Sequence, residues 1–147
     1  MMSEEKHAEL IYGLIKALEE NDIEKALSFC TDDVTFVSPV GTFSGKEKVR
    51  DFFKWMIDTI QEIKFTKTGI EILVQGDKAV DEHIVTGKHD GEEVEISSIC
   101  TYQFSNGKIK KMRDAYDRLT LVNQAVKGWL PKKIVGAIIQ QSRKGLD

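Results

Sequence analysis

The sequence predicts an α+β domain, with helices gathered on one side of a long antiparallel sheet. Three observations carry this. Apolar residues recur at helical spacing over most of the first 60 positions. From residue 62 onward the period changes to two. The later segments are joined by Gln75-Gly76-Asp77, Asp90-Gly91 and Asn106-Gly107, each suited to a hairpin turn.

The spacing predicts a first helix over residues 4–20, because Ile11, Leu14, Ile15 and Leu18 fall on one stripe. Asn21-Asp22 interrupts it, and Ile23, Ala26, Leu27 and Cys30 repeat the spacing over a short second helix. Val34–Ser38 reads as a short strand stopped by Pro39, and Gly41 and Gly45 bracket a loop. Ser44 followed three residues later by Glu47 matches a capping box. The helix it starts places Val49, Phe52, Phe53, Met56, Ile57 and Ile60 on one face. Residues 62–75, 78–88, 92–105 and 108–119 read as four long strands, with Gly69 and Gly87 as candidate bulge positions. A terminal helix over 132–144 carries Ile134, Val135, Ile138 and Ile139 on one side.

At 147 residues, 41% hydrophobic and 31% charged, the chain has the size and composition of one soluble domain. A net charge of -3 offers nucleic acid no overall attraction, and no such partner is expected. The charge is uneven. Lys127, Lys132, Lys133, Arg143 and Lys144 against Asp147 give residues 121–147 a net +4, which leaves -7 on residues 1–120. Cys30 and Cys100 lie far apart without a CxxC spacing, so we expect reduced, core-lining thiols rather than a zinc site or a disulfide framework. The first ten residues, MMSEEKHAEL, lack the apolar centre of a signal peptide, and a cytoplasmic location is the expectation. No apolar run approaches the length that spans a bilayer.

Four stretches carry a family resemblance. They are Phe29-Cys30-Thr31-Asp32-Asp33-Val34-Thr35-Phe36, Ser38-Pro39-Val40-Gly41, Ser44-Gly45-Lys46-Glu47, and Asn106-Gly107-Lys108-Ile109 running into Met112-Arg113-Asp114-Ala115-Tyr116-Asp117. Over about residues 5–125 the chain resembles the nuclear transport factor 2-like superfamily. That group holds ketosteroid isomerase, limonene epoxide hydrolase, SnoaL-like polyketide cyclases and scytalone dehydratase. The resemblance implies a cone-shaped, curved antiparallel sheet with the N-terminal helices packed across it. It also implies a domain over 1–127 and an extra basic, amphipathic helical extension over 128–147.

The three positions that resemble the acid-base and oxyanion groups of ketosteroid isomerase hold Ser38, Leu14 and Cys100, which argues against a steroid isomerase. Asp114 matches an aspartate of the limonene epoxide hydrolase pattern. The matches for that pattern's second aspartate and arginine are His83 and Asp81, and Phe36 and Ser38 replace its tyrosine and asparagine. SnoaL-like cyclases are the nearest analogy. They use an aspartate at the position of Asp114 as general acid-base, with no metal and no cofactor.

The resemblance therefore implies an enclosed apolar pocket for a hydrophobic small molecule. A carboxyl there has its charged form disfavoured, which brings Asp114 towards a useful range for proton transfer. A surface or salt-bridged aspartate, paired with Arg113 or Arg118, is the alternative. His83 is expected to share the cavity and to pair with Asp114. Ser38, Phe36, Trp55, Cys100, Tyr102 and Tyr116 are the expected ligand-binding residues, and no metal site is expected. Cys100 is a poor nucleophile, since an apolar wall raises a thiol's pKa. His7 and His89 look exposed.

Two functions follow. One is a cofactor-independent isomerase, cyclase, dehydratase or hydrolase. The other is a non-catalytic binding or dimerisation module of the same fold. A homodimer is expected through the outer sheet face, on apolar groups such as those of Ile70-Glu71-Ile72-Leu73-Val74. For residues 128–147, packing on the domain or on a partner chain is the stronger reading, and contact with a membrane surface the weaker.

Overall fold

The computed structural model describes residues 3–146. Two helices open the chain, α1 (Glu4–Glu19) and α2 (Ile23–Ser28), and two strands follow, β1 (Cys30–Ser38) and β2 (Gly41–Ser44). Helix α3 (Lys46–Thr59) leads into β3 (Gln61–Lys67), β4 (Leu73–Gln75), β5 (Lys78–His89), β6 (Glu92–Ser105) and β7 (Lys108–Tyr116). Helices α4 (Arg118–Ala125) and α5 (Trp129–Ser142) end it. The sheet order is β2-β1-β7-β6-β5-β3, with β4 paired beside β3 on β5. All pairings are antiparallel except β1 with β7.

The hairpin turns form as their residues dictate. Asn106 and Gly107 both take positive φ (51° and 73°), as do Asp90 and Gly91 (49° and 83°). That twist matches the strands it joins. In β6, every second residue from Val94 to Phe104 is buried, and those between face outward. The buried face meets α1 through Ile11, Leu14 and Leu18, α2 through Ala26 and Leu27, and α3 through Val49, Phe52 and Phe53. These contacts make the main core on the concave side of an unclosed, curved sheet, and Val94 and Ile96 form a smaller cluster with Ile60 and Ile63.

Several boundaries differ from the sequence reading. The strand expected over 62–75 is broken between Lys67 and Leu73, so Ile70 and Ile72 lie outside strands and Gly69 takes φ 111° in the break. Cys30 opens β1 rather than closing α2, and Gly41–Ser44 is a strand rather than a loop. Gly45, not Ser44, is the N-cap of α3. Ser44 instead lies opposite Thr35 in the β1–β2 ladder. The last long strand ends at Tyr116 because the Asp117 carboxylate accepts from Leu119 N at 2.9 Å and caps α4. His7 is buried rather than exposed. It stacks on Phe104 with centroids 4.1 Å apart, and its Nδ1–H donates to the Gly76 carbonyl at 2.9 Å. His89 is half-buried, its Nδ1–H donating to the Thr59 carbonyl.

Gly87 has a structural reason for being glycine. Gln61 pairs with Lys88 and Lys64 with Thr86, so Glu62 and Ile63 together oppose Gly87 alone. This is a β-bulge, which bends the edge of the sheet. A Cβ on Gly87 would sit 2.7 Å from the Gln61 carbonyl oxygen and would also strike the Ile60 side chain. Gly87→Ala is expected to cost about 1–3 kcal/mol by overpacking. Urea unfolding of the two proteins measures it.

Candidate functional site

The register of three long strands assembles the site. On the concave face, Asp81 of β5 pairs with Cys100 of β6, which pairs with Asp114 of β7. Phe36 pairs with Met112 and Val37 with Arg113, which carries Ser38 alongside Asp114. The neighbouring inward row holds His83, Ser98 and Tyr116. Two rows of polar side chains thus cross an otherwise apolar bowl.

Above them lies a cavity of about 90 Å³. Its walls are apolar, with Leu14 and Leu18 from α1, Phe52, Phe53 and Met56 from α3, and Leu121 from α4. Its polar groups are those of Thr59, His83, Ser98, Cys100, Tyr102, Asp114 and Tyr116. Phe36 and Trp55 also line it, and Trp55, half exposed and stacked on Phe52, sits at its rim. Of the residues expected from sequence, Ser38 alone is not on the wall. It is buried beside Asp114, its hydroxyl accepting from Val40 N at 3.5 Å.

Asp114 makes no ion pair with Arg113 or Arg118, and Arg118 donates instead to the Pro39 carbonyl. Its Oδ1 is buried without a hydrogen-bond partner. Burial pushes the carboxyl up to about 6, with Ser38, the backbone N–H of Asp114 and the charge of His83 pulling the other way. Burial likewise pushes Cys100 up to about 12, so its sulfur stays a thiol. Tyr102 is raised well above its ordinary value and Tyr116 is raised, both chiefly by burial. Both phenols remain hydrogen-bond donors at neutral pH.

His83 is partnered differently from the sequence expectation. Its Nδ1–H donates to Asp81 Oδ2 at 2.9 Å, and this pair is only 5% and 4% exposed. No hydrogen bond joins His83 to Asp114, although both line the cavity. The sequence did hold the signal for this pair. Residues i and i+2 of a strand share a face, so Asp81 and His83 had to lie together. A second cavity of about 70 Å³ lies behind His83, with Asp81, Tyr12 and Lys67 on its wall. Leu121 was missed because its helix was not foreseen. Among the described residues no cluster of histidine, cysteine and carboxylate side chains suits a metal ion.

Comparison with known proteins gives a family and a fold. The SnoaL-like domain matches residues 11–112. No curated protein matches the chain. Among solved structures, a nuclear transport factor 2-like protein of unknown function from Burkholderia pseudomallei is 18% identical. It aligns over 86% of this chain and 100% of its own, with a TM-score of 0.76. A putative polyketide cyclase from Xanthomonas campestris is 16% identical over 84% of this chain and 98% of its own, with a TM-score of 0.75. A putative hydroxylase from Streptomyces galilaeus is 14% identical over 82% and 95%, with a TM-score of 0.69. At these identities the likeness is one of fold.

The raised Asp114 carboxyl has a consequence for stability. Its folded pKa lies above the ordinary 3.8, so the fold favours the protonated form. Below about pH 4 it costs nothing, and the cost grows as pH rises through about 6. Asp114→Asn is therefore expected to stabilise the protein at pH 8 by about 1–2 kcal/mol, allowing for partial solvent screening. The gain should vanish at low pH, as read by denaturant unfolding across a pH series.

Proposed function

We propose, because this chain belongs to the SnoaL-like domain family, that it is a cofactor-independent enzyme doing acid-base chemistry on a hydrophobic small molecule. The observation that carries this reading is Asp114, a carboxyl on an apolar cavity with one oxygen buried and unpartnered. A buried acceptor without a donor costs about 1–3 kcal/mol, and a substrate group that supplies the donor recovers it.

In this reading the Asp114 carboxylate takes a proton from a carbon beside a substrate carbonyl. The electron pair moves onto the carbonyl oxygen. Tyr102 or Tyr116, still protonated, donates a hydrogen bond to that developing charge. The Asp114 carboxyl then returns the proton at a second position, and no net proton is consumed. His83, tethered through Nδ1 to Asp81, presents its other nitrogen away from that bond. Its cationic form favours the Asp114 carboxylate. Phe36, Trp55 and Cys100 shape the ligand space, and Ser38 steadies Asp114 from behind. Isomerisation, aldol-type cyclisation and dehydration can begin with such a proton transfer, whereas in a hydrolysis the same carboxylate would take its proton from the attacking water.

The second reading is a binding module without turnover. It is favoured by Ser38, Leu14 and Cys100 standing where ketosteroid isomerase has its catalytic groups. One experiment separates the two. Wild type and Asp114→Asn are screened for turnover of apolar compounds that bear a carbonyl or hydroxyl. For the enzyme, kcat/KM should rise with pH through about 6, the range of the Asp114 carboxyl, and level off above it. The variant should lose about 10²–10⁴-fold. Turnover equal in both proteins rejects the acid-base role, and binding without turnover in either supports the module.

A further inference from the structure

Charge around the cavity is one-sided. The chain holds 21 lysines and arginines, and among the described residues none lines this cavity. Cys100, Tyr102 and Tyr116 are kept in their neutral forms by burial. The His83 ring is tied through Nδ1–H to Asp81 Oδ2 at 2.9 Å, so a cationic ring already has its counter-charge. At about pH 8 the Asp114 carboxyl, pushed up to about 6 by burial, is ionised. It is then the charged group on the wall that has no opposite charge beside it, and one of its oxygens has no donor. A lone carboxylate in apolar surroundings is costly, and a positive partner offsets that cost.

The walls suit a cation as well. Phe36, Phe52, Trp55, Phe65, Tyr102 and Tyr116 bring aromatic rings to the cavity from four strands and a helix. An aromatic ring carries negative charge density on its face and attracts an ammonium group. Most of the remaining wall is aliphatic, so the substituents on that group must be apolar. A neutral hydroxyl would give Asp114 a hydrogen bond but leave its charge unanswered. A protonated amine supplies donor and charge together.

We propose that the cavity binds a protonated organic amine with apolar substituents, its N–H on the Asp114 carboxylate and its carbons against the aromatic walls. An amine paired with Asp114 holds the carboxyl ionised. It is therefore the cargo of a binding module, and a competitor of substrate in an enzyme. The inference shares with the acid-base reading only the placing of Asp114 on the cavity. Equilibrium binding can fail while turnover stands, and the reverse.

Three ligands of similar shape form the test. They are dimethylbenzylamine, protonated at about pH 8; isobutylbenzene, with C–H in place of the charged N–H; and dimethyl benzyl carbinol, with a neutral hydroxyl. Each is titrated into the full chain and into Asp114→Asn. Both proteins carry Trp129→Phe, which leaves Trp55 on the cavity wall as the only tryptophan, and calorimetry checks the constants. The amine is expected to bind, and to lose at least about tenfold in Asp114→Asn, as loss of a charge-assisted hydrogen bond implies. Isobutylbenzene should bind the variant no more weakly, which shows its cavity intact. The carbinol should lose less than the amine. Failure of the amine to bind, or equal affinity for the two proteins, overturns the proposal. So does a loss for isobutylbenzene or for the carbinol as large as that for the amine, since shape or a neutral donor is then what the cavity reads.

Discussion

The pleat of β6 is the constraint on which the site depends. The strand is paired to β5 over residues 92–103 and to β7 over 98–105, so it is held on both edges. A slip of one residue would turn Val94, Ile96, Tyr102 and Phe104 outward and bring Glu95, Thr101 and Gln103 into the core. The register is therefore fixed by burial. Once it is fixed, Asp81 and Asp114 flank Cys100, although they come from segments far apart in the chain. The polar rows are a product of pairing and not of any local motif.

Those rows hold two carboxyls in opposite conditions. Asp81 is almost wholly buried, but its Oδ2 accepts from His83 Nδ1–H at 2.9 Å. Asp114 is less buried, yet its Oδ1 has no donor at all. The first arrangement is internally satisfied and holds a ring in place. The second is unsatisfied and faces the cavity. Among the described residues two buried side-chain oxygens lack a partner, Thr31 Oγ1 and Asp114 Oδ1, and only the second belongs to a residue on the cavity, where a ligand can supply a donor. The phenols of Tyr102 and Tyr116 stay protonated on the same wall, which gives the cavity donors as well as an acceptor.

Much of this was legible in the sequence. The stripes of α1 and α3, the period-two strands β5 and β6 and the Asn106-Gly107 and Asp90-Gly91 turns are local signals, and each formed as its residues dictate, whereas the strand expected over 62–75 is broken in two. The resemblance implied the cavity and placed Asp114 in it, and Asp114 shares its strand face with Met112 and Tyr116 on the cavity wall. What failed was what local signals do not encode. Ser44 satisfied the capping-box pattern, but its pairing opposite Thr35 claimed it for a strand. His7 was read as exposed because nothing near it in sequence announces Phe104, on which it stacks. Asp117 looked like the tail of a strand, although an aspartate followed by Leu119 and Thr120 within reach of its carboxylate is also a helix cap. The Asp81–His83 bond was readable from spacing alone and was passed over for the longer-range pair with Asp114.

The end of β7 ties the cavity to the C-terminal helices. Tyr116 pairs with Ser98, and beyond that point the flank of β6 has no strand beside it. Gln124 of α4 fills part of the gap. Its side-chain oxygen accepts from Glu95 N at 2.7 Å and its amide donates to the Glu95 carbonyl at 2.9 Å, as a neighbouring strand would. The Lys127 ammonium adds a bond to the Asp90 carbonyl at 2.7 Å. An unpaired strand edge invites association with another chain, and this amide blunts it. The same anchorage sets Leu121 against the cavity and turns Val135 of α5 inward. On the same helix Leu130, Ile134 and Ile138 stay about half exposed.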